Sequence, residues 1–277
     1  FLLKLLSMQA LKGSLVALVT PLSENGEVDY LALQNLLDWH VDQGTNGIVS
    51  VGTTGESATL NPKEHIEVVE FTVKHINKRV PVIAGTGANS TDEAIELSEE
   101  SRLKGADYAL LVTPYYNKPN QNGLIAHYEK IADTVQIKQI LYNVPTRTAC
   151  DLLPSSVEIL SSHSNIVGIK EAIDKKERIK QLIDISNNAN NSFYVFSGDD
   201  PTFMESLKIG ADGVISVAAN VIPKSISDIC KYISTKNDHA ADSLNDLNEN
   251  LYKLLFVESN PIPVKWMLYK MGLIKQS

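Results

Sequence analysis

Cysteine is almost missing from this chain: 277 residues hold two, Cys150 and Cys230. Two isolated thiols make neither a disulfide framework nor a metal-binding pair, and reduced thiols in a cytoplasmic setting are the simplest account. Long apolar runs are missing too. Nothing approaches the ~20 residues of a membrane helix, and the apolar stretch Phe1–Leu6 is too short for a signal peptide. Met8 is a more natural start than Phe1, so the residues before it are set aside as leader or added sequence. Positive charge is scarce: 25 Lys and Arg face 33 Asp and Glu, a net of −8. That sign excludes nucleic acid and an anionic membrane surface as main partners. The histidines (His40, His65, His75, His127, His163 and His239) fall in helical or loop segments, where no zinc-ligand set would converge. No Pro/Gly/Ser-rich linker and no low-complexity segment interrupts the chain.

What is present is core-forming material, 43% hydrophobic against 21% charged, enough for one large α/β barrel or two ordinary domains. Eight strand-like runs recur at Ser14–Leu22, Gly47–Gly52, Val80–Gly85, Tyr108–Thr113, Gln139–Val144, Ile166–Lys170, Phe193–Ser197 and Gly213–Val217. They stand roughly 20–33 residues apart, the length of a βα unit. Most are continuously apolar, as in a parallel sheet covered on both faces. Helix signals fill the gaps. Leu33, Leu36, Leu37, His40 and Val41 follow helical spacing to a stop at Gly44. Asn61-Pro62 opens a helix whose stripe is Ile66, Val69, Val73 and Ile76, and Ser90–Glu93 has capping-box spacing. Asp200-Pro201 starts another, closed by Gly210. Eight units predict an α/β fold of the (β/α)8 TIM-barrel type over 13–220, its last helix reaching about 236. A doubly wound open sheet is the alternative. Val221–Lys236, Ala240–Val257 and Pro261–Met271 read as helices with no strand between them, so 237–277 forms a small C-terminal helical appendage.

The chemistry gathers where the strands end, the rim that carries catalytic groups in such barrels. Lys170 closes the run Ile166–Lys170, and none of the other seven runs contains Lys or Arg. A buried amine loses hydration, which favours its neutral form, and a neutral amine forms a Schiff base with a carbonyl. The plainer reading is a lysine snorkelling from a strand end or pairing with Glu171. Other strand ends supply Thr53-Thr54-Gly55-Glu56, Tyr115-Tyr116, Tyr142 with Arg147, and Ser197-Gly198-Asp199-Asp200. Asp199 and Asp200 alone make a poor metal site, and helix capping ahead of Pro201 explains them. The stretch from Gly85 to Ser90 lacks the third glycine of a dinucleotide fingerprint, and Gly52-Thr53-Thr54-Gly55 lacks the GK[ST] of a phosphate loop. A tight turn with hydroxyls and backbone N–H groups still suits a carboxylate. No metal and no cofactor is called for.

Taken together, GSLVALVTPL, SVGTTGESATL, PVIAGTGANST, LLVTPYYNKP, ILYNVPTRT, VGIKEA, SGDD, DGVISVAAN and NPIPVKW resemble the dihydrodipicolinate synthase family, within the class I aldolase and N-acetylneuraminate lyase superfamily. YNVPxRT with GIKEA is specific, whereas GTTGE marks only the superfamily. The resemblance implies that pyruvate forms an imine with Lys170, tautomerises to an enamine and attacks aspartate 4-semialdehyde, the first committed step toward diaminopimelate and lysine. It implies Tyr142 as proton shuttle, Thr54 as relay, and Tyr116 as a third member reaching the neighbouring subunit, hence a homo-oligomer, a dimer or dimer of dimers (homotetramer). Thr53 and Thr54 would bind the pyruvate carboxylate, Gly198 and Ile215 would line the site through main chain, and Arg147 would clamp the semialdehyde carboxylate. Lysine inhibition would use Ser57, Ala58, His65, Asn89, Glu93 and Tyr115, although Glu93 also fits its capping box and His65 an exposed helix position. Family chains usually continue past Met271-Gly272-Leu273, so a truncated C-terminus is expected here. The alternatives are another pyruvate-dependent aldolase, such as N-acetylneuraminate lyase or a keto-deoxy-sugar-acid aldolase, or a barrel that only senses an amino or keto acid.

Overall fold

A computed structural model describes residues 11–276, so the expected start at Met8 lies outside the described residues. Eight parallel strands follow one another in chain order: β1 (Gly13–Ala17), β2 (Gly47–Ser50), β3 (Val82–Gly85), β4 (Tyr108–Val112), β5 (Lys138–Asn143), β6 (Ile166–Glu171), β7 (Tyr194–Ser197) and β8 (Gly213–Ser216). β8 pairs back onto β1, with Leu15 opposite Ile215. That seam excludes the open doubly wound sheet, which would leave two edges. Helices α1 (Tyr30–Asp42), α2 (Pro62–Ile76), α3 (Thr91–Leu103) and α4 (Gln121–Thr134) link the first five strands. The short α5 (Pro145–Thr148) and α6 (Pro154–Leu160) share the next connection, followed by α7 (Lys176–Asn188), α8 (Phe203–Lys208) and, after β8, α9 (Pro223–Ser234). Then α10 (Asp238–Asp246), α11 (Glu249–Leu254) and α12 (Ile262–Lys270) run on without a strand. Among the described residues no helix is long and apolar enough to cross a membrane.

The strands are apolar throughout because each has two dry faces. Leu15, Val49, Ile83, Leu110, Ile140, Phe196 and Ile215 fill the barrel interior. Leu111, Leu141 and Ile169 face outward against Tyr128, Ile131 and Leu160 of the surrounding helices. Val16, Ile48 and Val214 do the same on the other side, and Tyr252, Leu255, Val264 and Leu268 of the C-terminal segment pack into that same cluster. Those last helices therefore add to a barrel layer and carry no core of their own.

Strand ends differ from the sequence expectation where the backbone must turn. β1 stops at Ala17, because beyond Leu18 the chain leaves the ladder and the Val19 N–H goes to the Asn220 side chain at 3.0 Å. β2 stops at Ser50 because Val51 adopts φ 48°. β5 begins one residue early, so a second lysine does stand in a strand: Lys138, whose amine reaches out to the Ser164 carbonyl at 2.7 Å. The Asn61 cap on α2 is present, accepting from Glu64 N at 3.0 Å. The buried face of α2 is turned from the expected one: His65, Val68, Val69, Thr72 and Ile76 are buried, while Ile66 and Val73 are only partly so. Ala240–Val257 is not one helix. Asn248 donates its side-chain amide to the Leu244 carbonyl at 2.9 Å and so breaks the run between α10 and α11.

Two features set the site. Between β5 and β6 the pairing slips: Gln139 stands opposite Ile166, but Ile140 stands opposite Gly168, leaving Val167 as an extra residue. At the closing seam, the buried Asp200 carboxylate accepts from the backbone N–H groups of Val217 (3.0 Å) and Ala218 (2.8 Å) and from the Ser216 hydroxyl. Asn220 then donates to Ala17 O at 2.8 Å and accepts from Val19 N at 3.0 Å, tying the β8 loop to β1. Asp200 is thus a clasp of the β8 loop and not the helix cap expected of it. Asp199 does not cap α8 either: it accepts from the N–H and hydroxyl of Thr202, in the turn before the helix, and α8 has no side-chain cap. Asp200→Ala should cost about 3 kcal/mol of stability, because three donors lose their acceptor in a dry site. A chemical-denaturation midpoint equal to that of the parent chain would contradict this.

Candidate active site

Past the slip, β5 and β6 run in step, so Tyr142 faces Lys170 and Asn143 faces Glu171. Successive side chains of a strand point to opposite faces. Lys170 and Tyr142 share the barrel interior, 5% and 6% exposed, with the amine 4.3 Å from the centre of the phenol ring. The face of the ring is thus the surface that the amine meets in place of water. The snorkelling alternative fails on burial. The pairing alternative fails as well, because Glu171 points the other way.

Behind the strands, Glu171 accepts from Asn143 Nδ2 at 3.1 Å, from Arg178 Nε at 3.1 Å and from Ile173 N at 3.0 Å. Asn143 also reaches Asp151 at 2.8 Å and Arg178 pairs with Asp151, so one polar cluster welds the ends of β5 and β6. Burial pushes the Glu171 carboxyl up, while Asn143 and Arg178 pull it down. Inside, a Cβ at Gly198 would lie 2.8 Å from Lys170 Cε and 3.1 Å from its Cγ, so this glycine is the space in which the lysine stem lies. Ile215 is buried in the interior cluster that holds Tyr142.

The loop after β2 brings in the threonines. Val51 at φ 48° is a β-branched residue in a region it rarely visits. The turn fits because Gly85 carries no side chain: a Cβ there would meet Val51 O at 2.4 Å. Thr54 is buried, 2% exposed, and accepts a hydrogen bond from Asn260 Nδ2 at 2.9 Å; Thr53 is half-buried. Glu56 pairs with Lys265 at 2.7 Å. Arg147 is exposed, and its Nη2 donates to Asn260 O at 3.4 Å. The contacts of Asn260 and Lys265 escaped the sequence reading. NPIPVKW stood out as a motif, but its pairing with residues 206 and 209 positions earlier leaves no local signal.

Thr53 and Arg147 also line a cleft of about 440 Å³. Ser57, Ala58, His65, Glu93 and Tyr115 line the same cleft, while Lys170, Tyr142 and Thr54 lie off its wall. Asn89 does not line it; its side chain donates to the Tyr115 carbonyl at 3.2 Å. His65 is not on an exposed helix position as expected. It is 3% exposed, its Nε2–H donates to Gly85 O at 2.8 Å, and burial lowers its pKa. Burial, then the Glu93 charge, raises the Tyr115 phenol. Tyr116 is 88% exposed at φ 72°, outside the barrel interior. Among the described residues no group of three or more His, Cys, Asp or Glu is placed to hold a metal ion.

A dry lysine on strand six, a tyrosine beside it on strand five, and a hydroxyl-rich turn at the same rim are the groups that lysine-imine chemistry needs in a barrel. Residues 10–277 match the dihydrodipicolinate synthetase family, and the chain belongs to it. The 4-hydroxy-tetrahydrodipicolinate synthase of Pseudomonas aeruginosa is 53% identical over 264 residues, 95% of this chain and 89% of that protein. The crystal structure of the chloride-inhibited dihydrodipicolinate synthase from Acinetobacter baumannii complexed with pyruvate superposes with TM-score 0.93 at 52% identity, covering 96% and 90% of the two chains. The synthase from Cyanidioschyzon merolae with lysine bound gives TM-score 0.89 at 35% identity, covering 95% and 89%.

Gly198→Ala should shift the lysine stem and slow imine formation by about 10²-fold, the usual penalty of a misplacement near 1 Å. Borohydride trapping of pyruvate at the parent rate would show that the stem has room to spare.

Proposed function

We propose that this chain condenses pyruvate with aspartate 4-semialdehyde through a Schiff base on Lys170, giving 4-hydroxy-tetrahydrodipicolinate in lysine biosynthesis. The observation that carries the mechanism is the Lys170 amine held over the Tyr142 ring in a dry interior. Nζ adds to the C2 carbonyl of pyruvate, water leaves, and an imine forms. Loss of a C3 proton gives the enamine, whose C3 attacks the aldehyde carbon. The adduct cyclises and is released when the imine is hydrolysed or displaced.

Tyr142 is the proposed proton shuttle, because its phenol stands beside the nitrogen where positive charge develops. Thr54 relays between Tyr142 and the Tyr116 of a second copy, which makes the working protein a homo-oligomer, a dimer or a dimer of dimers. The exposure and left-handed φ of Tyr116 support that reading. Thr53 and Thr54 receive the pyruvate carboxylate, Gly198 and Ile215 line the site with main chain, and Arg147 clamps the semialdehyde carboxylate with its guanidinium fork. A cytoplasmic location fits two buried free thiols. Lysine is the proposed inhibitor at the cleft, with Glu93 facing its ammonium and Tyr115 its carboxylate, while Asn89 supports Tyr115 from behind the wall. Five of the six positions assigned to it line that one space.

Lys170→Ala should lower turnover by several orders of magnitude and abolish the pyruvate adduct seen by mass after borohydride. Near-normal kcat in that variant would refute the imine. In the same assay, condensation with aspartate 4-semialdehyde should far exceed cleavage of sialic acid. Free lysine should inhibit the parent chain, and Glu93→Ala should weaken that inhibition by about tenfold, one lost charge-assisted contact. An unchanged lysine titration in the variant would remove Glu93 from the site.

A further inference from the structure

Asn260 has no part in the roles assigned above, yet it touches two of their carriers. Its side-chain Nδ2 donates to Thr54 Oγ at 2.9 Å, and its main-chain carbonyl accepts from Arg147 Nη2 at 3.4 Å. The residue is 8% exposed, and its Oδ1 is buried without a hydrogen-bond partner among the described residues. A buried amide oxygen left unpaired is a cost, so stability alone does not explain an asparagine here. Among the described residues its one side-chain bond goes to Thr54. Lys265, five residues on, anchors the same segment to Glu56, two residues past Thr54.

We propose that Asn260 is a positioning residue for the condensation: its amide occupies a lone pair of the Thr54 hydroxyl and so turns the Thr54 proton away from itself, toward the barrel interior. A hydroxyl has one proton to give and two lone pairs to receive with. With one lone pair held by Asn260, the hydroxyl donates in a fixed direction and accepts on its remaining side, which is the polarity a proton relay needs. The same residue steadies Arg147 by its carbonyl, so one point of the C-terminal segment sets both the relay and the carboxylate clamp. The inference rests on the reading that Thr54 passes protons to Tyr142.

The test compares Asn260→Asp, Asn260→Ala, Thr54→Val and the Asn260→Ala/Thr54→Val double variant in the full-length protein. Each kcat is divided by the number of sites that trap pyruvate under borohydride, so unfolded protein drops out of the count. Asn260→Asp keeps the shape but offers an acceptor at neutral pH, and normalised kcat should fall on the order of 10²-fold. Its activity should recover as the pH falls and the buried carboxyl gains the proton it needs to donate, which displaces the kcat–pH profile to the acid side. Asn260→Ala keeps the main-chain carbonyl, so kcat should fall while KM for the semialdehyde stays close to that of the parent. In the Thr54→Val background, Asn260→Ala should add no further loss. Parent-like kcat in Asn260→Asp across the pH range would overturn the proposal, as would an equal loss from Asn260→Ala with and without Thr54. Full activity in Thr54→Val would remove the relay reading and this inference with it. Intact trapping beside such a result would leave the Lys170 imine standing.

Discussion

Everything at the barrel mouth depends on one extra residue in β6. Ile166 faces the outer layer with Leu141 and Ile169, and strict alternation from it would send Lys170 outward too. The slip opposite Gln139 and Ile140 reverses the phase at Val167, which joins the interior cluster. From there Gly168 and Lys170 face inward, Ile169 and Glu171 outward. A shift of one residue exchanges the two faces of a strand, so removing the irregularity would bury the amine among helix side chains and carry the carboxylate into the barrel. Backbone pairing, and not the identity of Lys170 alone, decides that an amine stands inside the barrel.

The opposite face of the same strand ends then has to carry charge. Glu171 is 1% exposed, beside Asn143, with Arg178 as its ionic partner. Desolvating such a pair offsets much of its Coulomb attraction, and buried pairs are often replaceable by apolar groups without loss of stability. What the cluster does supply is direction. Arg178 and Asn143 both reach Asp151 as well, so Glu171 is held from several sides at once. Each of the two welded residues directly follows a site residue, Asn143 after Tyr142 and Glu171 after Lys170. A strand-end shift that separated phenol from amine would first have to break this lock.

The parts of the fold and site whose signal is local are legible in the sequence. Eight strands were legible because both faces of each are dry, and Lys170 stood out because charge is rare in such runs. The rim segments GTTGE, YNVPTRT and VGIKEA each place their residues within a few positions of a strand end. What stayed hidden needs distance or phase. Asn260 meets Thr54 across 206 residues, and Asn220 meets Ala17 across 203. Nothing in Ile166-Val167-Gly168 announces that two residues take one place in the ladder. Asp200 and His65 were misread for a related reason: the groups that bury them, the β8 loop and the end of β3, come from other units of the barrel. The break at Asn248 was missed because apolar spacing continues through it, while its side chain competes for the helix carbonyl.

Strain is concentrated at this same rim. Val51, Glu56 and Tyr116 all take positive φ in loops that leave strands two and four. Such residues cost of order 1–3 kcal/mol each and persist only where their surroundings leave no alternative. For Val51 the surroundings are the bare backbone of Gly55 and Gly85, packed too closely for any side chain. For Glu56 they are Lys265, reaching over from α12. The rim is therefore held in a costly shape by a helix from the far end of the chain, which is why α12 belongs to the site as much as to the appendage. Tyr116 differs, since a side chain 88% exposed gains little from its own chain to offset a φ of 72°. The same logic asks for an outside surface to hold it, and the second copy proposed above would supply one where the tyrosine would be put to use.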